Sequence, residues 1–336
     1  MIPYRRVSTP ADQPLITALL TQALGGDTPD PELLHWKYWN PHPLVEGSRS
    51  DVMALPDLVA AHSCRWPITI RTPKGDVTAF HLTDWAARAD QPGSGIQVLN
   101  YACEKAQAAV GVGGTAATKR ILPKIGFQEH NSFKVFKRPL HPLKPALSES
   151  PKDLRQLARI GRNAWWWLWP INRLPGGWTV VPIDGFQIPE SLWPQPAAGI
   201  AVSLRSPLLL EHISRCPKLR ASRLFVLNQA GKEFAYFYLA QVDHEVRLAD
   251  YGPAGLAPAE ARVLAIAALS AARTHFPSAT DFLAGTSEQP VCEGFEQAGL
   301  HLYRHDSIRV RQSHEFLSGV QQFRLTMIDW DAVYLS

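Results

Sequence analysis

Sulfur chemistry is scarce in this sequence. Its 336 residues include only four cysteines, Cys64, Cys103, Cys216 and Cys292, far apart and without a CxxC pair. That spacing argues against a disulfide framework or a zinc knuckle and leaves reduced thiols as the simple reading. Long hydrophobic runs are missing too, and no uninterrupted apolar stretch could span a bilayer. The opening Met1-Ile2-Pro3-Tyr4-Arg5-Arg6 leads into polar residues and prolines instead of an apolar core with a cleavage site. A cytoplasmic location is therefore expected. Lys and Arg form no concentrated run and the net charge is only +4, so nucleic acid is not an expected partner.

What is present is a globular composition, 46% apolar and 19% charged, with 28 prolines and 11 tryptophans. Neither disorder nor a coiled coil suits it. The second half repeats the order of landmarks in the first. Pro31-Glu32-Leu33-Leu34-His35-Trp36-Lys37-Tyr38-Trp39-Asn40-Pro41 is answered by Pro207-Leu208-Leu209-Leu210-Glu211-His212-Ile213-Ser214-Arg215-Cys216-Pro217. His81-Leu82-Thr83-Asp84-Trp85 is answered by Arg247-Leu248-Ala249-Asp250-Tyr251. Gly114-Thr115 ahead of Lys124-Ile125-Gly126-Phe127 is answered by Gly285-Thr286 ahead of Gln297-Ala298-Gly299-Leu300. Such an order reads as two copies of one domain. The expected division is a first domain over residues 1–140, a Pro/Trp-rich linker and interdomain helix over 141–198, and a degenerate second domain over 199–336. Within the linker, the Trp cluster at Trp165–Trp169 reads either as a buried interdomain contact, which is preferred, or as a membrane-surface helix.

Apolar spacing predicts helices over residues 11–24, ending at Gly25-Gly26, and from Pro31 to Trp39. Strands are expected at 52–55, 58–62, 66–71 and 77–87, then a helix over 96–109 and a short strand at 110–112. Between strand and helix stands Asp90-Gln91-Pro92-Gly93-Ser94-Gly95. A strand that ends in a glycine turn and feeds directly into a helix gathers open backbone N–H groups and the positive end of the helix dipole, which suits a phosphate. The second copy has Gly252-Pro253-Ala254-Gly255-Leu256-Ala257-Pro258 there, with two prolines, and reads as having lost the cradle. Thr115 in Gly113-Gly114-Thr115 is expected to cap the next helix or to line an acceptor pocket. His301, Tyr303, His305 and Asp306 alternate between strand faces and give no ligand set, so no metal is expected.

The run Asp84 to Ile96 with its following helix resembles the segment of the GNAT N-acetyltransferase superfamily in which Arg-Gly-x-Gly-Ile and a helix cradle the coenzyme A pyrophosphate. Ile121-Leu122-Pro123-Lys124-Ile125-Gly126-Phe127 resembles that superfamily's late Tyr-x-x-x-Gly-Phe element, and Trp36-Lys37-Tyr38 with Asn40-Pro41 resembles bacterial GNAT-like proteins with two tandem domains. The resemblance implies a mixed α/β fold of two tandem domains, each a mostly antiparallel sheet flanked by helices. It implies acetyl-CoA or another acyl-CoA as co-substrate, with Ala86, Ala87, Arg88, Gln91, Gly93, Ser94, Gly95 and Ile96 as the candidate contacts. It further implies N-acyl transfer to a small-molecule amine, an amino sugar or cell-envelope precursor among them. A base near the split between the central strands would take the amine proton, and His62, His81 and Asp84 are the candidates. Strand alternation separates His81 from Asp84 unless a bulge intervenes, and the match of Asp84 with Asp250 points to a structural role. The pattern departs where Pro92 replaces the family's Arg and Leu122 or Pro123 its Tyr. Those departures and the second copy's missing cradle support a rival reading, a catalytically degenerate binding or scaffold module. A further rival is a Fem-type aminoacyltransferase, which also pairs GNAT-like domains but usually carries a long helical arm and a basic face that this chain does not clearly show.

Overall fold

The structure is a computed structural model that describes residues 3–25, 28–141, 161, 165, 173–312 and 317–331. Of the Trp cluster only Trp165 is described, and it is exposed, against the expected buried contact; the expectation for residues 166–169 lies outside the described residues. No helix among the described residues is long and apolar enough to cross a membrane. The chain forms two compact units, the first made of residues 1–131, 196–217 and 307–323, the second of the remainder.

Unit 1 is built on a sheet of β1 (Tyr4–Val7), β2 (Ser50–Leu55), β3 (Leu58–Thr72), β4 (Gly75–Ala87) and β5 (Ala108–Val112). The first four are antiparallel neighbours in chain order, and β5 then runs parallel to β4. Expected breaks at residues 63–65 do not occur, because β3 continues unbroken along β4. Helix α1 (Gln13–Leu24) ends at Gly25 in the left-handed conformation, as a glycine stop should. Helix α2 (Pro31–Tyr38) starts on an Asp30 side-chain cap with Pro31 in its first turn. Ile16, Leu19 and Leu20 of α1 and Leu34 and Tyr38 of α2 bury against Val52, Val59 and Cys64 of the sheet.

Helix α3 (Ser94–Cys103) is shorter than the expected 96–109. Its Ala-rich continuation is claimed by the sheet, where Gln107 N–H bonds the Thr78 carbonyl and Ala108 and Ala109 pair with Ala79 and Phe80. Helix α4 (Ala116–Ile121) is capped by the Thr115 hydroxyl, which accepts the Thr118 N–H at 3.2 Å.

Unit 2 carries a sheet in the order β6 (Gln128–Pro139), β12 (Asp281–Thr286), β11 (Glu245–Gly252), β10 (Lys232–Val242), β9 (Leu219–Gln229), β7 (Trp178–Ile183). Only β11 and β12 are parallel neighbours. An 18-residue helix, Pro258–His275, buries a face of small residues from Ala261 to Ala272 against Phe237, Leu248 and Phe282. Small side chains let that helix approach the sheet closely while still removing apolar area from water.

The closing strands are exchanged between sequence copies. Residues 307–312 of β13 (His301–Gln312) pair antiparallel with β5, whereas β6 closes the unit 2 sheet by pairing with β12.

Candidate functional site

The site is organised by an extra residue in β4. Cys64 pairs with Thr83 and His62 with Ala86, so Ser63 lies opposite both Asp84 and Trp85. This is a β-bulge, and Asp84 sits in it at φ 49°, a left-handed conformation that aspartate tolerates better than most residues. Its carboxylate accepts the Lys37 ammonium at 2.7 Å and the Tyr38 hydroxyl at 2.7 Å. Its carbonyl lies 2.8 Å from His62 Nδ1, and His62 Nε2 lies 2.9 Å from the Ser50 hydroxyl, to which Ser8 donates at 2.6 Å. A carbonyl can only accept, so Nδ1 carries the proton and Nε2 accepts from Ser50.

The structure therefore brings His62 and Asp84 together. His62 is fully buried with both ring nitrogens engaged. Burial pushes its pKa down, against the opposing pull of Asp84, and keeps the ring neutral. For Asp84, burial alone would raise the pKa, but the Lys37 charge and hydrogen bond, with Tyr38 and His62, hold it below the ordinary carboxylate value. His81 is placed elsewhere, buried, with Nε2 accepting the Val112 N–H at 3.2 Å. Lys37 and Tyr38 stand in the sequence as a landmark of the tandem-domain resemblance and not as candidate site residues. The available signal was a lysine within the mostly apolar stretch Leu33 to Tyr38, where an unpaired ammonium would be costly.

The ladder between β4 and β5 covers only Ala79–His81 against Ala108–Val110, while β4 continues to Ala87. Among the described residues, the backbone on that side of Leu82 to Ala87 thus has no strand partner, and it leads directly into the glycine turn. Gly93 is the N-cap of α3 at φ 86°, which a side chain would strain. At Gly95 the constraint is contact, since an added Cβ would lie 3.0 Å from Ala87 Cβ. Its carbonyl accepts the Trp85 indole N–H at 2.8 Å, which ties the helix start to the bulge. In a helix the first N–H groups have no carbonyl one turn back. Ser94 N–H bonds the Gln91 carbonyl, and the Gly95 and Ile96 N–H groups lie at the open start of the helix.

A groove of about 400 Å³ opens over this turn. Ala86, Ala87, Arg88, Gln91, Gly93, Gly95 and Ile96 line it. Ser94 is instead buried beneath, its hydroxyl donating to the Gln91 carbonyl at 2.7 Å. Thr115, Thr118 and Ile121 complete the wall, so the Thr115 loop both caps α4 and borders the groove. Arg88 pairs with the exposed Asp90 through its side chain. Pro92 supplies no N–H, and Leu122 is 1 % exposed in the core with Phe80 and Leu99, so no phenol takes its place.

Unit 2 also has a bulge, one residue earlier, and sets carboxylates against the turn that follows. Tyr238 pairs with Asp250 and Leu239 with Leu248, leaving Ala249 as the extra residue, and Asp250 accepts the Tyr236 and Thr326 hydroxyls at 2.7 and 2.6 Å. The turn that follows donates Gly255 N–H to Glu288 at 2.7 Å and Ala257 N–H to Glu260 at 2.8 Å. Glu288 is held in turn by the Tyr251 hydroxyl at 2.8 Å and by Arg324 at 3.1 Å. Two carboxylates are thus held against the turn before the helix, at the N–H groups of Gly255 and Ala257. His244, Glu245 and Asp281 also cluster in unit 2, and the Lys137 ammonium lies 3.1 Å from Glu245 and 3.5 Å from Asp281.

No family model matches the sequence, and no curated protein matches it. Solved structures do share its architecture. A GCN5-related N-acetyltransferase from Anabaena variabilis aligns at 10% identity over 94% of this chain and 74% of its own, with a TM-score of 0.57. Saccharomyces cerevisiae N-myristoyltransferase with bound myristoyl-CoA aligns at 10% identity over 92% of this chain and 80% of its own, with a TM-score of 0.57. A tandem GNAT protein from the clavulanic acid biosynthesis pathway aligns at 10% identity, covering 93% of this chain and 98% of its own, with a TM-score of 0.56. The fold of this chain is that of the GNAT N-acetyltransferases, in the mixed α/β form that a tandem GNAT protein also adopts.

Proposed function

We propose that unit 1 binds an acyl-CoA, acetyl-CoA being the simplest, and transfers its acyl group to the amine of a small molecule. The observation that carries this reading is the groove over the start of α3, next to a stretch of β4 that has parted from β5. The pyrophosphate would meet the Gly95 and Ile96 N–H groups at the positive helix end. The thioester would lie along the unpaired edge of β4, whose N–H groups would polarise its carbonyl. The amine nitrogen then attacks the carbonyl carbon, the C–N bond forms, the C–S bond breaks and coenzyme A leaves as a thiolate.

Proton traffic follows from what the candidates cannot do. His62 has no free ring nitrogen, and a carboxylate held below its ordinary pKa, as in Asp84, is a weak base. The amine therefore arrives neutral or sheds its proton to water, and water protonates the thiolate in the absence of a phenol at Leu122. The acceptor class on this reading is an amine, with an amino sugar among those the family resemblance supports. A second reading, a binding module without turnover, is favoured by Pro92 and by the apolar burial of Leu122.

Thermal unfolding with acetyl-CoA tests the site, because a ligand that binds only the folded state stabilises it by about 2.7 kcal/mol at 100 times its Kd. Ile96 is 38% exposed, so Ile96→Glu places a carboxylate at the cradle without disturbing the core. Stabilisation of the native chain that this variant loses is the expected result, and no shift at millimolar acetyl-CoA rejects the site. Thiol release on adding amines separates the enzyme from the binding module.

A further inference from the structure

The geometry points to Lys37 as a positioning residue for unit 1, holding the Asp84 bulge in the conformation that presents the unpaired edge of β4 to the acyl group. This deepens the acyl-transfer reading and rests on it. Lys37 is 1% exposed, on a helix whose other inward residues are apolar or aromatic, and its ammonium ends 2.7 Å from the Asp84 carboxylate. An ammonium taken out of water is costly unless something specific needs it there. The residue it reaches has a left-handed backbone at the bulge, directly before Trp85, whose indole binds the first turn of α3, and before Ala86 and Ala87, which line the groove.

Three different elements fix Asp84. Helix α2 holds the carboxylate through Lys37 and Tyr38, β3 holds the carbonyl through His62, and β2 backs His62 through Ser50. The titratable groups facing this carboxylate are Lys37 and Tyr38 from α2 and His62 and Cys64 from β3. Lys37 is the cation bonded to the carboxylate, His62 being neutral, and the buried Arg49 also acts on the neighbouring Cys64. Without Lys37, a carboxylate in this enclosed position would be favoured in its protonated form, and a carboxylic acid would no longer draw Tyr38 and the bulge together. The second unit has its bulge one residue earlier, at Ala249, with Asp250 in register opposite Tyr238, and there Asp250 accepts the Tyr236 and Thr326 hydroxyls. The lysine accompanies the copy with the open cradle.

The test uses the full chain with Lys37→Met and the double variant Lys37→Met/Asp84→Asn, whose neutral pair leaves no buried charge and is the form expected to fold best. Three readouts are compared with the native chain: kcat against pH with acetyl-CoA and an amine, the KM for acetyl-CoA, and the Asp84 carboxyl titration by carbon-13 NMR. Lys37→Met is expected to lower kcat about 100-fold, the scale seen when an aligned backbone donor is lost, with KM changed less than about two-fold. It should also acquire an acid limb in kcat that the native chain lacks and the double variant loses, with the carboxyl titration moved to higher pH. A merely structural lysine would lower active protein without that limb. A kcat profile and a carboxyl titration that both match the native chain overturn the proposal. If the native chain binds acetyl-CoA but turns nothing over, the acyl-transfer reading fails, and hydrogen exchange of the β4 amides together with the carboxyl titration still decides whether Lys37 holds the bulge.

Discussion

His42 and His212 meet at the residue scale, their rings 4.5 Å apart, with His212 stacked on Trp36 at 4.9 Å. His42 Nδ1 accepts the Leu44 N–H at 3.2 Å, which places its proton on Nε2. Burial, then the charges of His212 and Arg49, lowers the His42 pKa to about 2; burial, then Arg49 and Arg215, lowers that of His212 to about 4. In the unfolded chain both rings protonate near 6.5, so below that pH the unfolded state binds protons that the native state refuses. Stability is thus complete above about pH 6.5 and falls as the pH drops toward 4, by up to roughly 1.4 kcal/mol per pH unit for each ring. His212→Phe keeps the aromatic stack and removes one titration. Urea unfolding at pH 7.5 and pH 5 is expected to show a smaller loss for this variant than for the native chain, and equal losses would reject the account.

At the scale of elements, local patterns were legible and cross-chain pairs were not. Gly93, Gly95 and the helix they begin could be read because strand, turn and helix are consecutive in sequence, and the left-handed φ of Gly93 is what a glycine there supplies. The bulge at Asp84 was open in the reading only as a condition on strand alternation, since a single extra residue is set by the partner strand β3. The Lys37–Asp84 pair depends on where α2 packs, and no local period reveals it. The same applies to the turn after β11. Two prolines mark that turn in the sequence, but the carboxylates of Glu288 and Glu260 that hold Gly255 and Ala257 N–H are brought there by the fold. Glu288→Ala leaves Arg324, fully buried, without its carboxylate partner. The expected cost is about 3–5 kcal/mol, as for other broken buried pairs. Glu260→Ala removes only a helix-start hydrogen bond and is expected to cost about 1 kcal/mol. Chemical denaturation of the two variants checks the ranking, and a larger loss for Glu260→Ala would refute it.

For the whole molecule, the repeat is plain in the order of landmarks, whereas the exchange of closing strands is not. Strand alternation marks His301 to Asp306 as extended but carries no information about which edge such a strand will join. In the structure β5 is closed by residues 307–312, and unit 1 also takes in residues 196–217, where β8 (Ile200–Ser203) pairs with β3. A fragment of residues 1–140 would therefore expose the β5 edge and lack the strand beside β3. Open edges of that kind invite association between chains. The fragment is expected to aggregate or unfold instead of binding acetyl-CoA, although it contains every residue of the proposed cradle. The full chain is expected to bind one acetyl-CoA, because Glu288 and Glu260 place negative charge against the unit 2 turn, where a pyrophosphate would be repelled. Isothermal titration gives both answers. A stoichiometry of two would show that the unit 2 carboxylates yield to a phosphate, and a soluble fragment binding with native affinity would show that the borrowed strands are dispensable to the site.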